Sequence, residues 1–529
     1  MGKPGIIRLF LVVVVLLFGT AVRLVHLAFV DTSLPFRYGG LFVEFSQRLA
    51  ANHYLLPQRV PFYTDGGIPF AYPPLPFYVE AVLLDVFSLP KFSVATLLPP
   101  AIAVLSVPSF YLLTRELGLS FRTRLAALVA FAGMPVAFRE QIDGAGLSEA
   151  FGTLALLWLA ISLVRAHNKE TAGSYGLVGL FWAICLVSSP GSAYASIPTM
   201  LIFALVQFAR AEWRPSARII GLLGVAVAIA GAASSPYWLT VIANHGVMIF
   251  VDTVVDQHEA RLPAPWMIIT EFPEIQDFVS GAPAPFFFPA RSRYLWDVAI
   301  LGGVVWALFR RQWALLVWFV VLFSIPREGR WLAAIPAALL AGIGIAAAFG
   351  PFLVRPGQSY LRKVGQVAIV GGSALLLGMY VIFIPIVTIR DMVTVLYRGP
   401  SYDAVAGMEW AMENTPAESK FIVLAHEQVK EWTPQVARRT VLNITYGAEW
   451  EPEELKRINW LEVLLNACAD FDCIQAAVTE MMGYDEVYLY AERGRLSRLR
   501  SGSRTKFELM WENSEVAIGR LISTSGEPR

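Results

Sequence analysis

Charged residues are scarce in this sequence. Only 16% of its 529 residues are Asp, Glu, Lys or Arg, whereas a soluble domain contains about 25%. The acidic and basic residues nearly balance, with a formal net charge of +1, and there is no basic stripe with interleaved aromatic residues. The sequence therefore lacks the positive field with which proteins bind nucleic acid, and we expect no nucleic-acid partner.

Cysteine is also rare, with three residues in the chain. Cys185 lies in an apolar run, whereas Cys468 and Cys473 lie five residues apart in NACADFDC. A zinc site would need further ligands, and His426 is the only histidine in that part of the sequence. We favour a local disulfide, which requires an oxidising compartment. Two reduced cysteines on one helix are the alternative.

Apolar residues dominate what is present, at 56% of the chain. Many of them form runs close to the length that crosses about 30 Å of hydrocarbon, beginning with IIRLFLVVVVLLFGTAV from Ile6. The predicted spans number about eleven, at 6–30, 93–114, 125–138, 149–165, 174–189, 192–209, 217–243, 294–309, 312–325, 331–353 and 364–389. The first run leads into Arg23 and not into a small-residue cleavage site, so we expect it to remain as a helix and not to be removed as a signal peptide.

Basic residues gather in alternate loops between these runs, as in 115–124, 165–169, 210–218, 310–311 and 355–363. The positive-inside rule makes those loops and the N-terminus cytoplasmic and the intervening loops extracytoplasmic. The basic loops all fall on the cytoplasmic side only if the apolar segment 73–90 does not cross the bilayer. Glu80 and Asp85 would also be costly at its centre. We predict an interfacial helix there, within an outer loop at 31–92.

Charge returns near residue 395, where short apolar stretches such as FIVLA and EVYLYA alternate with helical patterns. We predict a transmembrane domain at 1–392 and an extracytoplasmic α/β domain at 393–529. The fold class is a polytopic α-helical membrane protein with interfacial helices and this C-terminal domain. We expect it in the plasma (inner) membrane.

Several carboxylates fall on the predicted outer face, among them Asp31, Glu44, Asp65 and Asp143. Such groups can act as a general base or hold a divalent metal, although outer loops carry acids for solvation and capping as well. The segment from Gln58 adds a proline-stiffened aromatic surface that includes Tyr72 and suits a long amphiphilic ligand or an ordinary interfacial belt.

The order of one span, an outer loop with GLFVEFSQRLAANHYLLP, and then PFAYPPLPFYV resembles the start of GT-C glycosyltransferases. The resemblance is to bacterial proteins grouped with protein mannosyltransferases and aminoarabinose transferases (family 39). It extends over REQIDGAGLSEAFG, SSPGSA, SSPYWLTVIANHG, PREGRWLAAIPAALLAG and KEWTPQVARRTVLNITYGAEW.

This resemblance implies a polyprenyl-phosphate sugar donor and transfer of the sugar to a cell-envelope acceptor at the outer face, with membrane lipid as a further partner. An inverting displacement needs a base, and the donor phosphate needs cations. The family's Asp, about six residues before the position of Glu44, is absent, because 37–39 reads Arg-Tyr-Gly. An acid before the proline pair is replaced by Ala71 and Tyr72.

The resemblance leaves two outcomes open: Asp31, Glu44 or Asp65 supplies the base, or the chain is a catalytically silent lipid-binding or scaffold protein. A lipid or solute transporter is a third alternative. For substrate binding the sequence offers Tyr72, Asp143 and His245, and for the donor phosphate it offers Arg139, Arg327 and Arg330.

Overall fold

The computed structural model describes residues 3–142, 144–210, 217–251, 294–325, 329–349, 399–500 and 505–523. The apolar part of the chain is helical. Its helices are α1 Lys3–Leu24, α2 Gly40–Ala51, α3 Leu75–Asp85, α4 Lys91–Glu116, α5 Phe121–Gly133, α6 Leu147–Lys169, α7 Ala172–Ser188, α8 Pro190–Arg210, α9 Ala217–His245, α10 Tyr294–Phe309, α11 Trp313–Phe323, α12 Gly329–Leu332 and α13 Ala334–Phe349.

Five helices in the described ranges are long and apolar enough to cross a membrane: Gly5–Ala28, Lys91–Glu116, Gly144–Lys169, Pro190–Ala209 and Ala217–His245. The helix pair Phe121–Gly133 and Pro135–Gln141, bent by 80°, passes the same test as one unit. Shorter apolar helices cover four more predicted spans, at Ala172–Ser188, Trp296–Phe309, Trp313–Phe323 and Ala334–Ala347. The predicted span at 364–389 lies outside the described residues, and the count of eleven stays a prediction.

Helix α3 is the element for which the sequence predicts an interfacial position. It begins directly after two prolines, with Pro76 at its second position, where a missing N–H costs nothing. It has 11 residues and is therefore about 16 Å long, roughly half the hydrocarbon thickness. Because of this length α3 is too short to cross a bilayer by itself.

Arg23, near the end of α1, has no exposed surface. Its guanidinium donates to the carbonyl oxygens of Phe131 and Ala132 at 3.4 Å, in the last turn of α5, and stacks on the Phe131 ring. Those carbonyls lack intrahelical partners and carry the negative end of the helix dipole. Arg23 therefore caps α5 where the chain turns by 80°.

The described chain from residue 399, called the C-terminal domain below, forms a five-stranded sheet in the order β4-β3-β5-β7-β6. A small hairpin of β1 Arg59–Val60 and β2 Ile68–Pro69 precedes it, in residues 31–92, which we name the first outer loop after the topology predicted from the sequence. The strands are β3 Lys420–Leu424, β4 Thr440–Val441, β5 Glu486–Glu492, β6 Thr505–Glu512 and β7 Val516–Ser523. Strand β3 runs parallel to β4 and β5, and β7 runs antiparallel to β5 and β6. The FIVL run of β3 is buried on both faces, as expected of a central parallel strand.

Five helices accompany this sheet: α14 Tyr402–Asn414, α15 Glu427–Ala437, α16 Pro452–Ala467, α17 Phe471–Met482 and α18 Arg493–Leu496. Cys468 and Cys473, between α16 and α17, form a disulfide, and Cys185 is a buried free thiol. One face of the sheet packs on α16 and α17. The other face shares a single hydrophobic core with the first outer loop, in which Phe45 and Phe77 meet Trp432 and Phe421.

Candidate functional site

The first outer loop is joined to the edge strand of the C-terminal sheet. The N–H of Val441 donates to the carbonyl of Phe62 at 2.9 Å, and the N–H of Thr64 donates to the carbonyl of Val441 at 3.3 Å. Residue Tyr63 thereby pairs with β4 in parallel, and its side chain is fully buried. The position of this loop is consequently set by the C-terminal domain.

Glu431 of α15 lies at the N-terminus of α2. Its carboxylate, 2% exposed as a residue, accepts hydrogen bonds from the backbone N–H groups of Gly39 (3.2 Å), Gly40 (2.9 Å) and Leu41 (2.7 Å). These are donors without partners inside the helix, at the positive end of its dipole. The neighbouring Trp432 donates from its indole N–H to the carbonyl of Arg37 at 2.8 Å. The C-terminal domain thus supplies a carboxylate beside the segment 37–39, where the sequence lacks the expected Asp.

A second carboxylate of the C-terminal domain, Glu449, lies beside Tyr72, where the sequence lacks the acid expected before the proline pair. The Tyr72 hydroxyl donates a hydrogen bond to its carboxylate, and the adjacent Trp450 packs edge-on against Tyr72 with ring centroids 5.2 Å apart. Burial raises the pKa of Glu449 to about 7, although backbone N–H groups oppose the shift. Trp450 is 6% exposed, and its indole N–H has no partner among the described residues. A carboxyl group with a pKa near neutrality therefore lies against Tyr72 of the first outer loop.

The C-terminal end of α9 packs against the segment that contains Tyr72 and against Trp450. The Tyr237 hydroxyl donates to the carbonyl of Ala71 at 2.6 Å. His245 ends the helix beside the backbone of Gln58 and the side chain of Arg59, and its Nε2 is buried with no partner in the described part of the chain. Of the residues proposed for substrate binding from sequence, Tyr72 and His245 thus both lie at the junction of the first outer loop with α9.

The two predicted catalytic aspartates contact other parts of the C-terminal domain. Asp31 is exposed and accepts hydrogen bonds from Tyr402 and from the Ser33 hydroxyl (2.7 Å), which lower its pKa. Asp65 lies 2.6 Å from Nζ of Lys420 and accepts from Tyr484. Burial raises the pKa of Asp65, but these hydrogen bonds and the Lys420 charge outweigh it, so the net shift is downward. Both groups are ionised near neutral pH and engaged in domain contacts.

Glu44, the third predicted acid, is 1% exposed and pairs with Arg48 one turn later, at 2.6 Å. Burial raises its pKa, while the Arg48 charge opposes the shift. Nearby in sequence, Ser46 donates to Glu80 at 2.7 Å, and burial raises the pKa of Glu80 to about 7. Glu44 and Glu80 are therefore both buried within the first outer loop.

The remaining predicted residues are Arg139, Arg327, Arg330 and Asp143. Arg139 lies 3.8 Å from Glu140, Arg330 belongs to the short helix α12, and Arg327 and Asp143 fall outside the described residues. Gly144, next to Asp143, packs on the outer loop so closely that a Cβ there would lie 2.3 Å from the Tyr38 carbonyl oxygen. The turn and the loop 31–72 are therefore in direct contact. In the described ranges no group of three or more His, Cys, Asp or Glu side chains is arranged to hold a metal ion.

Glu431 and Glu449 are the two acids that sequence reasoning missed. They lie nearly 400 residues after the loop that they contact, so local spacing gave no indication of the contact. A signal did exist: each directly precedes a tryptophan, in KEWTPQ and GAEWEP. Tryptophan side chains dominate the energetics of cores and interfaces, so an acid next to one in sequence lies close to whatever interface the tryptophan enters.

No protein-family model matches this sequence, and no curated protein does. Solved structures do match it. The archaeal oligosaccharyltransferase AglB from Archaeoglobus fulgidus, in complex with an inhibitory peptide and a dolichol-phosphate, is 16% identical with a TM-score of 0.61, over 93% of this chain and 70% of AglB.

ArnT from Cupriavidus metallidurans, bound to undecaprenyl phosphate, is 13% identical with a TM-score of 0.53 over 100% of both chains. The arabinofuranosyltransferase AftD from Mycobacteria is 15% identical with a TM-score of 0.51, over 98% of this chain and 40% of AftD. These are GT-C glycosyltransferase structures. The chain therefore has the GT-C fold, with a helical part and a C-terminal sheet, as the sequence predicts.

Proposed function

We propose that this chain is a glycosyltransferase that moves a sugar from a polyprenyl-phosphate donor to a cell-envelope acceptor at the outer membrane face. The observation that carries the proposal is the Glu449 carboxyl group, with a pKa of about 7, held against Tyr72 at the junction of the first outer loop with α9. A general base is most effective when its pKa lies near the working pH.

The lipid part of the donor is supported by the structural neighbours. AglB was solved with a dolichol-phosphate and ArnT with undecaprenyl phosphate. At 13% to 16% identity these neighbours establish the fold and leave the substrate as our proposal. The ring of Phe77 is fully buried and packs against Phe70 and Tyr72. Tyr72 is partly exposed, and we propose its ring as the aromatic contact for the isoprenoid chain.

In the proposed reaction, ionised Glu449 takes the proton of an acceptor hydroxyl. The acceptor oxygen forms a bond to the anomeric carbon of the sugar while the bond from that carbon to the lipid phosphate breaks, and the configuration inverts. The phosphate leaves with both electrons of the broken bond and needs nearby cations. Arg59, beside His245, and the predicted Arg139, Arg327 and Arg330 are our proposals for that role.

Asp31, Asp65 and Glu44, the bases predicted from the sequence, stay proposals, but their surroundings suit the role less well than those of Glu449. The carboxylates of Asp31 and Asp65 are stabilised by hydrogen bonds, which makes them weak bases. Glu44 is paired with Arg48. Among these four acids, Glu449 is the one whose pKa burial raises to about 7. It also has no ionic partner in the contacts described above.

We further propose the topology and domain boundaries that follow from the sequence: N-terminus cytoplasmic, residues 31–92 and 393–529 extracytoplasmic, and residence in the plasma (inner) membrane. The disulfide of Cys468 and Cys473 agrees with an oxidising compartment.

A catalytically silent, lipid-binding protein is the second candidate. It is favoured by one specific observation: Glu431 is saturated by three N–H donors, so the acid nearest the position of the missing Asp is committed to capping α2. Such a protein would bind polyprenyl phosphate without turning over its sugar ester.

The two functions are separated by one experiment on the purified full-length protein. A panel of undecaprenyl-phosphate-linked, radiolabelled hexoses and pentoses is incubated with the protein and a cell-envelope fraction, and release of undecaprenyl phosphate and transfer of label are followed. Native mass spectrometry measures binding of undecaprenyl phosphate in parallel. Turnover supports the enzyme, whereas binding without turnover of any donor favours the silent protein.

The variants Asp31→Asn, Asp65→Asn and Glu44→Gln, tested in the same assay, decide among the sequence-predicted bases. We expect all three to retain turnover, within the limits of their effect on folding. Loss of turnover in one of them, with an unchanged melting temperature, would transfer the base role to that residue.

A further inference from the structure

The C-terminal sheet contains a change of direction in its strand order. From β3 the chain crosses through α15 to β4 on one side, and it then returns through α16 and α17 to β5 on the other side of β3. In open sheets of this kind the two connections diverge between the first and third strands and leave a crevice at their carboxyl ends, where ligands bind. In this domain that position lies between the ends of β3 and β5.

A cavity of about 440 Å³ occupies this position. One wall follows β3 and contains His426 and Val429, and a second follows β5 and contains Glu492 and Arg493. The third wall is the turn between β6 and β7. The volume falls in the range of roughly 300–1,000 Å³ that is typical of small-molecule sites.

The walls of the cavity are fixed to one another by hydrogen bonds. The N–H of His426 donates to the Glu492 carboxylate at 2.8 Å, and the N–H of Arg493 donates to the Glu515 carbonyl at 2.7 Å. The Ser401 hydroxyl donates to the Glu515 carboxylate. Because these bonds connect all three walls, the cavity is formed before any ligand enters, which reduces the entropic cost of binding.

The chemistry of the lining selects the ligand class. The cavity is lined by both acceptors and donors: the carboxylates of Glu492 and Glu515, the guanidinium of Arg493, the imidazole of His426 and serine hydroxyls. Arg493 also pairs with Glu512 at 3.3 Å and Ser514 donates to Asp403, so a ligand shares these two groups with the protein. Two carboxylates disfavour a phosphate and Arg493 disfavours a cation, while Val429 and Val516 add an apolar patch that suits the C–H face of a sugar ring. A neutral polyhydroxylated molecule, whose hydroxyls both donate and accept, satisfies such a set.

We propose that this crevice, bounded by the ends of β3 and β5, is a saccharide-binding site. It is separate from the Glu449 group and does not depend on catalysis. Tyr402, adjacent to Ser401 of the lining, contacts Asp31 in the segment that follows the first candidate span, Gly5–Ala28. A bound saccharide would thus be held beside the helical part of the chain.

Gly494 offers a way to block the crevice without disturbing the fold. It lines the cavity, and a Cβ on it would meet no atom within 4 Å. The variant Gly494→Phe therefore adds a ring at the wall of the crevice with no overlap at its Cβ. Ser497→Phe, an exposed position on the following turn that does not line the cavity, is the matched control.

The test uses the full-length protein in nanodiscs and saturation-transfer NMR with glucose, mannose, arabinose and N-acetylglucosamine, and with inorganic phosphate as competitor. We expect at least one sugar to bind, phosphate not to displace it, and Gly494→Phe to weaken binding by about tenfold or more while Ser497→Phe does not. If Gly494→Phe lowers the melting temperature, Glu515→Gln replaces it. No binding of any sugar, displacement by phosphate, or unchanged affinity in the blocking variants would overturn the proposal.

Discussion

The carboxylate of Glu431 accepts a hydrogen bond from the backbone N–H of Gly40 at 2.9 Å, across 391 residues of sequence. Together with the bonds from Gly39 and Leu41, it connects the C-terminal domain to the first turn of α2. The loop that carries the predicted catalytic acids is thus held by the C-terminal domain.

This contact predicts a stability effect. Glu431→Gln removes the charge from the positive end of α2 and leaves one of the buried N–H groups poorly paired, so we expect a loss of about 1–3 kcal/mol. The measurement is the melting temperature together with proteolysis of the first outer loop. Glu427→Gln, on the same helix, is the control: its side chain is 53% exposed, and its partner Lys430 keeps a second ion pair with Glu462 at 2.9 Å, so both readouts should change far less. Equal behaviour of the two variants would contradict the capping role.

Glu80 predicts a pH dependence of stability. Its pKa is about 7 in the folded protein against an ordinary value of 4.5, so the folded state holds this proton more tightly than the unfolded chain. The stability it contributes is complete below about pH 4.5 and is lost as the pH rises through about 7. The melting temperature should fall between pH 5 and pH 8, and Glu80→Gln should reduce that fall. Asp85→Asn, exposed on the same helix, should leave it unchanged.

The topology predicts opposite labelling of two exposed positions. In the proposed topology α3 does not cross, so Ser88 and Arg122 are separated by one membrane span, α4. Single cysteines at these positions should react with an impermeant maleimide from opposite sides of sealed vesicles. The buried thiol of Cys185 should not interfere. Reaction of both cysteines from the same side would show that the topology inferred from the basic loops is wrong.

The disulfide predicts a covalent link in the mature protein. Non-reducing peptide mapping should recover Cys468 and Cys473 in one cross-linked peptide. Cys468→Ser should lower stability only modestly, on the order of 2–3 kcal/mol at most, because the closed loop is short. Free thiols at both positions would remove this support for an oxidising compartment.

The sequence predicted the architecture because membrane spans and parallel strands leave strong local patterns, such as the apolar run of α1 and the FIVL run of β3. The interfacial position of α3 stays a prediction from loop charge and from Glu80. The contacts of Glu431 and Glu449 were missed because they depend on how two distant segments pack. The pKa of Glu449 likewise depends on burial that no spacing in the sequence reveals.

The central claim is that Glu449 acts as the base of a transferase, and the pH profile of transfer tests it most directly. With a donor found in the undecaprenyl-phosphate panel, the wild-type kcat/KM should rise with pH through an apparent pKa of about 7, as ionised Glu449 becomes available. In Glu449→Gln this rise of kcat/KM with pH should be absent, and transfer should be slower by about 10²-fold or more. Glu453→Gln, 91% exposed four residues away, should behave as wild type. Full transfer by Glu449→Gln with an unchanged rise of kcat/KM near pH 7 would contradict the account.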